Sequence, residues 1–142
     1  MRISTTTRYS LMALLDIIHY GKGEPVSVAK IAQRQHIPVN FLEQLFLLLR
    51  KSGLVKSIMG ARGGFIIKGN IKTITVADVI KAVEGHVAPI YRTKTRSKLK
   101  PPKDKKVLNT TENLWKDLGA LIIKFFKGYS LDKLARLIKT TR

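Results

Sequence analysis

Four side chains at the start of one predicted helix could contact the edges of nucleic-acid bases. Asn40, Phe41, Glu43 and Gln44 fall within five residues. Amides pair with adenine, a carboxylate accepts from cytosine N4, and an aromatic ring can meet a thymine methyl. Glu43 is the strongest indication of base reading, because a carboxylate near phosphates costs free energy unless it discriminates between bases. The alternative interpretation of Glu43 is an ordinary acid near a helix N-terminus. Packing is an equal alternative for Phe41, and a phosphate contact is favoured for Gln44.

Basic and small residues around this group suit the DNA backbone. Phosphate contacts position a protein on DNA without specifying sequence, and the candidates for them are Arg8, Arg50, Lys51, Lys56 and Ser57. Arg62, flanked by Gly60, Gly63 and Gly64, has the surroundings of a side chain that enters a minor groove. Any one of these residues could be an ordinary solvated charge, so the interpretation depends on the cluster.

The composition favours a polyanionic partner. The chain has 142 residues, of which 44% are hydrophobic, and a formal net charge of +18. The hydrophobic fraction is enough for a core, and the positive charge indicates nucleic acid first and an anionic membrane surface second. No apolar run approaches the roughly 20 residues of a membrane span. The N-terminus lacks a signal-peptide profile, so we expect a cytoplasmic protein.

Several kinds of chemistry are disfavoured by the residue types. The chain has no cysteine, which excludes disulfides, cysteine nucleophiles and thiolate-bound zinc or iron–sulfur clusters. His19, His36 and His86 fall on separate predicted elements without metal-ligand spacing. The acids form no catalytic pair, and no phosphate-binding loop or nucleophile elbow occurs. We therefore expect no enzyme activity, no metal and no cofactor.

The elements that position the candidate DNA contacts form a helix-turn-helix over residues 27–52. Ser27 is a predicted N-cap for the first short helix, and Val39–Lys51 is the second helix, which Gly53 ends. The turn between them places His36 where a positive φ is usual, and histidine is among the residues that tolerate that region.

A wing and a further helix follow. Residues 54–68 predict two strands joined by a glycine-rich hairpin, and Thr75 and Gly85 bound a helix with an apolar stripe. The order, spacing and charge agree on a winged helix over residues 1–85. The fold class is therefore mainly α with a small β-hairpin wing.

Two helices are more apolar than one subunit of this size needs. Thr5–His19 is apolar on more than one side, and we expect Leu14 and Ile18 at a subunit contact. The tail, residues 110–142, predicts a long dimerisation helix and a final short helix capped by Ser130. The expected dimer contacts on the long helix are Leu114, Trp115, Leu118, Leu121, Ile122 and Phe125. These two helices are expected to pack across a two-fold axis.

A basic insert separates the winged helix from the tail. Eight of the fifteen residues in Arg92–Lys106 are Lys or Arg, and two prolines interrupt the segment. Residues 86–109 therefore read as a linker or loop. Two interpretations are equally supported: an arm that reaches flanking phosphates, or a solvated spacer.

Particular strings in the chain carry a family resemblance. MRISTTTRYS, the segment LEQLFLLLRKSGLV, the wing GARGGF, ITVADVIKAVEG and NLWKDL resemble the Rrf2 family of bacterial regulators. The resemblance implies a homodimer that binds palindromic operator DNA, usually as a repressor, with a long C-terminal helix that crosses to the partner. It also implies a [2Fe–2S] cluster on three cysteines in many members, which this chain lacks. Met59 stands where the family commonly has an arginine of the wing, and Arg62 could supply that charge instead.

Three functions of different classes remain open at this stage. The leading one is a sequence-specific transcriptional regulator without a cluster, which binds double-stranded operator DNA and answers a small molecule, a protein partner or no effector. The second is a sequence-blind nucleoid or RNA-binding protein. The third is a protein-interaction module that has lost its operator and would show no salt-sensitive DNA binding.

Overall fold

The elements follow each other as the sequence predicts, with changes at helix ends. The structure is a computed structural model and describes residues 2–87, 100 and 102–141, so residues 92–99 of the basic insert lie outside the described part. The helices are α1 (Thr5–Asp16), α2 (Val28–Gln35), α3 (Val39–Lys51), α4 (Val76–Glu84), α5 (Lys106–Lys127) and α6 (Leu131–Ile138), and the strands are β1 (Val55–Ile58) and β2 (Gly64–Ile67). Helix α5 begins at Lys106, ahead of the expected start near residue 110.

The helix-turn-helix is built from the predicted cap and turn. The Ser27 side chain accepts a hydrogen bond from the Lys30 N–H at the start of α2. His36 adopts φ 53° and ψ 44° and donates its backbone N–H to the Ala32 carbonyl group. The prediction that His36 occupies the left-handed region is confirmed. Together the cap and the turn fix where α3 starts relative to α2.

The wing is a two-stranded antiparallel hairpin with a third segment at its base. Val55 pairs with Ile67 and Ile58 with Gly64, and Val26 forms an isolated bridge to Phe65. Close backbone approach explains a glycine in the hairpin: a Cβ on Gly63 would lie 2.2 Å from the Ile58 carbonyl oxygen. The sequence between the strands therefore allows a tight connection that an alanine would not.

Helix α1 lies at the centre of the core and packs against α2, α3, α4 and α6. Leu14 is completely buried within its own chain, so its expected place at a subunit contact is wrong, because no surface of this side chain is left for a partner. Ile18 is half-buried and packs against the core. The end of the predicted helix is a π-helical turn over Ile17–Gly21.

The last helix returns to the N-terminal domain. The backbone N–H of Val76 donates to the Tyr129 carbonyl group (2.8 Å), and that of Leu131 donates to the Ile74 carbonyl group (2.9 Å). Leu131 has no exposed surface. Helix α6 therefore packs with the core of the first domain, whereas the sequence grouped it with the dimerisation helix in residues 110–142. Helix α5 packs against α4 and leaves Leu114, Trp115, Leu121 and Phe125 exposed.

Candidate nucleic-acid interface

Helix α3 separates an apolar face from a polar one. Its buried side chains recur at helical spacing and anchor it to the core: Leu42, Leu45, Phe46 and Leu49. Asn40, Glu43 and Gln44 are exposed near its N-terminus, and Arg50 and Lys51 are exposed in its last turn. An α-helix fits the major groove, and the residues near the N-terminus of a recognition helix reach the base edges. The structure thus brings the predicted polar residues together on one accessible face.

Phe41 packs within the protein. Its ring lies edge-to-face against Tyr9 of α1, with centroids 5.5 Å apart and planes at 89°, and it is half-buried. Of the two alternatives for Phe41, base contact and packing, this geometry favours packing, with the ring against α1. This contact fixes the first turn of α3, and with it Asn40, against α1.

The N-terminal part of α1 lies beside the recognition helix. Thr6 lines the same open groove, about 520 Å³, as Asn40 and Gln44. Arg8 is exposed, and its Nε donates to the Ile3 carbonyl group at 3.4 Å. A long cation at this rim is well placed for a phosphate next to the base-reading face.

The wing is braced against α3. Phe65 of β2 stacks on the buried ring of Phe46, with centroids 4.4 Å apart and planes at 19°. Lys56 and Ser57 of β1 and Arg62 of the hairpin loop are exposed, and Gly63 forms the tight turn next to Arg62. The wing cations therefore stand at a fixed distance from the polar face of α3.

Two exposed apolar side chains were missed as candidates. Leu47, which is 44% exposed, lies three residues after Gln44 and four after Glu43, so helical periodicity could have placed it on the reading face. It also shares a shallow groove with Glu43 and Arg50. Met59, at the wing, is 90% exposed. Side chains of this kind can contact thymine methyls or wedge into a minor groove.

A buried ion pair positions the first helix of the helix-turn-helix. Asp16 is 2% exposed, and its carboxylate accepts from Arg34 Nη2 (2.6 Å), Arg34 Nε (3.0 Å) and Gln35 Nε2 (2.7 Å). The Arg34 guanidinium carbon lies 4.5 Å from the centre of the Tyr20 ring. The hydrogen bonds that Arg34 donates to the Asp16 carboxylate raise the pKa of Arg34 against the opposing effect of burial. Local spacing does not predict this contact, because Arg34 and Gln35 lie 18 and 19 residues after Asp16 in the chain.

The long helix α5 carries an uncovered apolar face. Leu114, Trp115, Leu121 and Phe125 are between 45% and 65% exposed, and Leu118 and Ile122 are half-buried. Aromatic and aliphatic groups side by side in water are typical of an interaction surface. The predicted dimer residues of α5 therefore lie together on one helix.

The residues present do not fit an iron–sulfur cluster. The chain has no thiolate, and among residues 2–87, 100 and 102–141 no group of three or more His, Cys, Asp or Glu could hold a metal ion. Across the same residues, none of the helices combines the length and the apolar character that crossing a membrane requires.

The chain is similar to regulators of known fold. It is 37% identical over 136 residues to the HTH-type transcriptional regulator IscR of Xenorhabdus nematophila, covering 96% of this chain and 80% of that protein. Its structure resembles that of CymR, the global cysteine regulator of B. subtilis, with a TM-score of 0.78, 30% identity and coverage of 96% and 98%. It also resembles T. potens IscR, with a TM-score of 0.75, 32% identity and coverage of 96% and 87%.

The family profile spans almost the whole chain. The Rrf2 profile, described as an iron-dependent transcriptional regulator, matches residues 3–137. The residues of this chain do not support iron dependence, because it has no cysteine and its described residues include no group of three His, Cys, Asp or Glu that could hold a metal ion. The winged helix, the long α5 and the extent of the match agree with the relatives. The chain therefore belongs to the Rrf2 family of DNA-binding transcriptional regulators.

Proposed function

We propose that this protein is a homodimeric, sequence-specific repressor that binds a palindromic operator without an iron–sulfur cluster. The observation that carries the proposal is the single surface formed by α3 and the wing. The polar side chains of α3 are exposed there, and the opposite face of the same helix is buried in the core. A helix held in this way can enter the major groove without losing its packing.

The side chains on this surface divide into two roles. Asn40, Glu43 and Gln44 lie where a recognition helix meets base edges, with a phosphate contact favoured for Gln44. Arg8, Lys51 and Lys56, with Arg50 and Ser57, lie at the rim and contact phosphates, while Arg62 enters the minor groove beside Gly63. The first role supplies specificity and the second supplies affinity that depends on salt.

Dimerisation is supported by α5. Its exposed apolar residues lie together on one long helix and remain uncovered by the rest of the described chain. Pairing two copies about a two-fold axis covers this face and presents two recognition helices to two half-sites. The functional units are then a DNA-binding domain over residues 1–85, completed by α6, a linker that ends before Lys106, and α5 as the dimerisation helix.

A competition experiment tests the proposal. An operator is selected from a random duplex library with the full-length protein, and its affinity is compared with that of shuffled duplex at physiological salt. We expect a preference of about 10³-fold or more. Near-equal affinities would support the sequence-blind alternative instead. Loss of all salt-dependent binding would support an interaction module.

A further inference from the structure

A small cavity shares no lining residue with the two grooves beside α3. It occupies about 270 Å³ between the N-terminal end of α1 with the residues just before it, helix α4 and the end of α5. Ser4 and Thr7 line it from the first of these, Ile80 and Glu84 from α4, and Phe126 from α5. Neither base reading nor dimerisation uses these side chains.

The cavity contains an organised carboxylate. Glu84 accepts hydrogen bonds from the hydroxyl groups of Thr7 (3.0 Å) and Ser4, both of which belong to the N-terminal end of α1. The two contacts hold the carboxylate at the wall of the cavity. A carboxylate held in this way is a ready acceptor for an ammonium group.

The other residues that line the cavity supply a cation and an apolar surface beside the Glu84 carboxylate. Arg2 belongs to the lining, and the guanidinium of an arginine is a donor that suits a carboxylate. Ile80, which is 5% exposed, and the half-buried Phe126 provide an apolar wall. A cation, an anion and an apolar surface in one cavity match the three parts of an α-amino acid with an aliphatic side chain.

The size of the cavity agrees with such a ligand. Pockets for drug-sized molecules usually measure about 300–1,000 Å³, so about 270 Å³ suits a small metabolite. We propose that this cavity binds a free amino acid with an aliphatic side chain, and that its occupancy changes the affinity for the operator. The second half of this proposal rests on the proposed function.

The position of the cavity explains how occupancy reaches the DNA. Its walls include α1 and α4, which belong to the DNA-binding domain, and α5, which carries the proposed dimer face. Two residues after Phe126 the chain turns back, and the Tyr129 carbonyl group accepts from the N–H of Val76. A ligand that contacts both the DNA-binding domain and α5 favours one angle between them. In the proposed dimer this angle sets the spacing of the two recognition helices.

The first experiment measures binding without DNA. L-Leucine and the other standard amino acids are titrated calorimetrically into the full-length protein, together with isoamylamine and isocaproate, which each lack one charged group of leucine. We expect an aliphatic amino acid to bind at least about tenfold more tightly than its amine or acid analogue, because each lost charge removes one charge-assisted contact. Failure of every amino acid to bind would overturn the site.

Variants locate the binding. Arg2→Gln and Glu84→Gln should each weaken binding about tenfold, while Glu24→Gln, which removes an exposed acid outside the cavity, should not. Glu84→Gln keeps a carbonyl acceptor for the two hydroxyl groups, and the exposed position of Arg2 provides a variant that leaves the fold intact. Unchanged binding in both cavity variants would place the ligand elsewhere and refute the proposal.

The second experiment measures coupling. The affinity for the selected operator is determined with and without saturating amino acid, and we expect a change of about fivefold or more, in which DNA alters ligand affinity by the same factor. An unchanged operator affinity would refute the regulatory half. Absence of any operator preference would instead refute the proposed function, while the calorimetric result would still decide the site.

Discussion

Asp16→Asn should destabilise the DNA-binding domain although it changes no volume. The carboxylate is buried and accepts three hydrogen bonds from Arg34 and Gln35. Asparagine keeps one acceptor oxygen and places an amide donor against these donors. The substitution therefore leaves a guanidinium without its counterion at the end of α2, next to the turn of the helix-turn-helix.

The magnitude follows from the exposure of the two partners. Removing one member of a buried ion pair typically costs about 3–5 kcal/mol. The side chain of Arg34 is 30% exposed and that of Asp16 is fully buried, so water can partly solvate the orphaned cation. We therefore expect a loss of about 2–3 kcal/mol, which corresponds to a fall in Tm of about 6–9 °C for a chain of this size.

Urea unfolding followed by circular dichroism tests this value, at one fixed protein concentration because dimerisation contributes to stability. Asp132→Asn is the matched control, since it breaks the exposed pair with Arg136 and should cost less than about 1 kcal/mol. The double variant Asp16→Asn/Arg34→Gln should be more stable than Asp16→Asn alone, because the orphaned charge is gone. Equal losses in Asp16→Asn and the control would refute the reasoning.

The sign of the pH dependence follows from the raised pKa of Arg34. A raised pKa contributes stability that is fully present below the ordinary pKa of the group and is lost only as the pH rises through the folded value. An arginine remains charged throughout the neutral range. The difference in unfolding free energy between wild type and Arg34→Gln should therefore be the same at pH 7 and pH 9, and a marked decrease at pH 9 would contradict this assignment.

Further substitutions test the DNA-binding surface and the dimer. Glu43→Ala should relax the base preference at one operator position, as measured by repeating the library selection. Lys51→Ala should weaken binding to all DNA sequences equally and lower the slope of log affinity against log salt concentration by about one. An unchanged selection profile for Glu43→Ala would contradict base reading. Leu121→Glu should shift the mass seen by light scattering toward the 16.0 kDa monomer, because it places a charge in the apolar face of α5; a wild-type monomer would contradict the dimer. Gly63→Ala should distort the wing, because its Cβ would lie 2.2 Å from a carbonyl oxygen of the facing strand. Its DNA affinity should fall, and unchanged affinity would show that the wing does not contribute.

The parts of the fold that depend on neighbouring residues could be predicted from the sequence. Ser27, Thr75 and Ser130 cap the helices that they precede, because each accepts from a backbone N–H three residues later. His36 takes the left-handed conformation at the turn of the helix-turn-helix. In these cases the side chain and the group it satisfies lie within one turn of chain, so residue type and spacing are sufficient.

The parts of the fold that depend on residues distant in the chain could not be predicted from the sequence. Helix α1 is apolar around most of its circumference, so periodicity does not say which side faces its own chain. The structure buries Leu14 in a helix that packs against α2, α3, α4 and α6, and the return of α6 to this core depends on backbone pairing between Thr75 and Ser130. Asp16 is an acid within this apolar helix, and its residue type does not show that it is buried against Arg34 and Gln35 of α2.

Local and distant residues also contribute differently to the proposed DNA-binding site: local residues determine which side chains α3 exposes, and distant residues determine how α3 is oriented. The exposed face of α3 follows from local periodicity, because its buried side chains recur at helical spacing and the remaining positions must face outward. The orientation of that face depends on contacts from outside the helix: Tyr9 on Phe41, Phe65 on Phe46, and Asp16 on the preceding helix. Base reading requires both, because a correct set of side chains on a tilted helix meets the wrong base edges. Substitutions at the supporting residues should therefore lower the base preference at all positions of a half-site together, whereas substitutions at Glu43 should change the preference at one position.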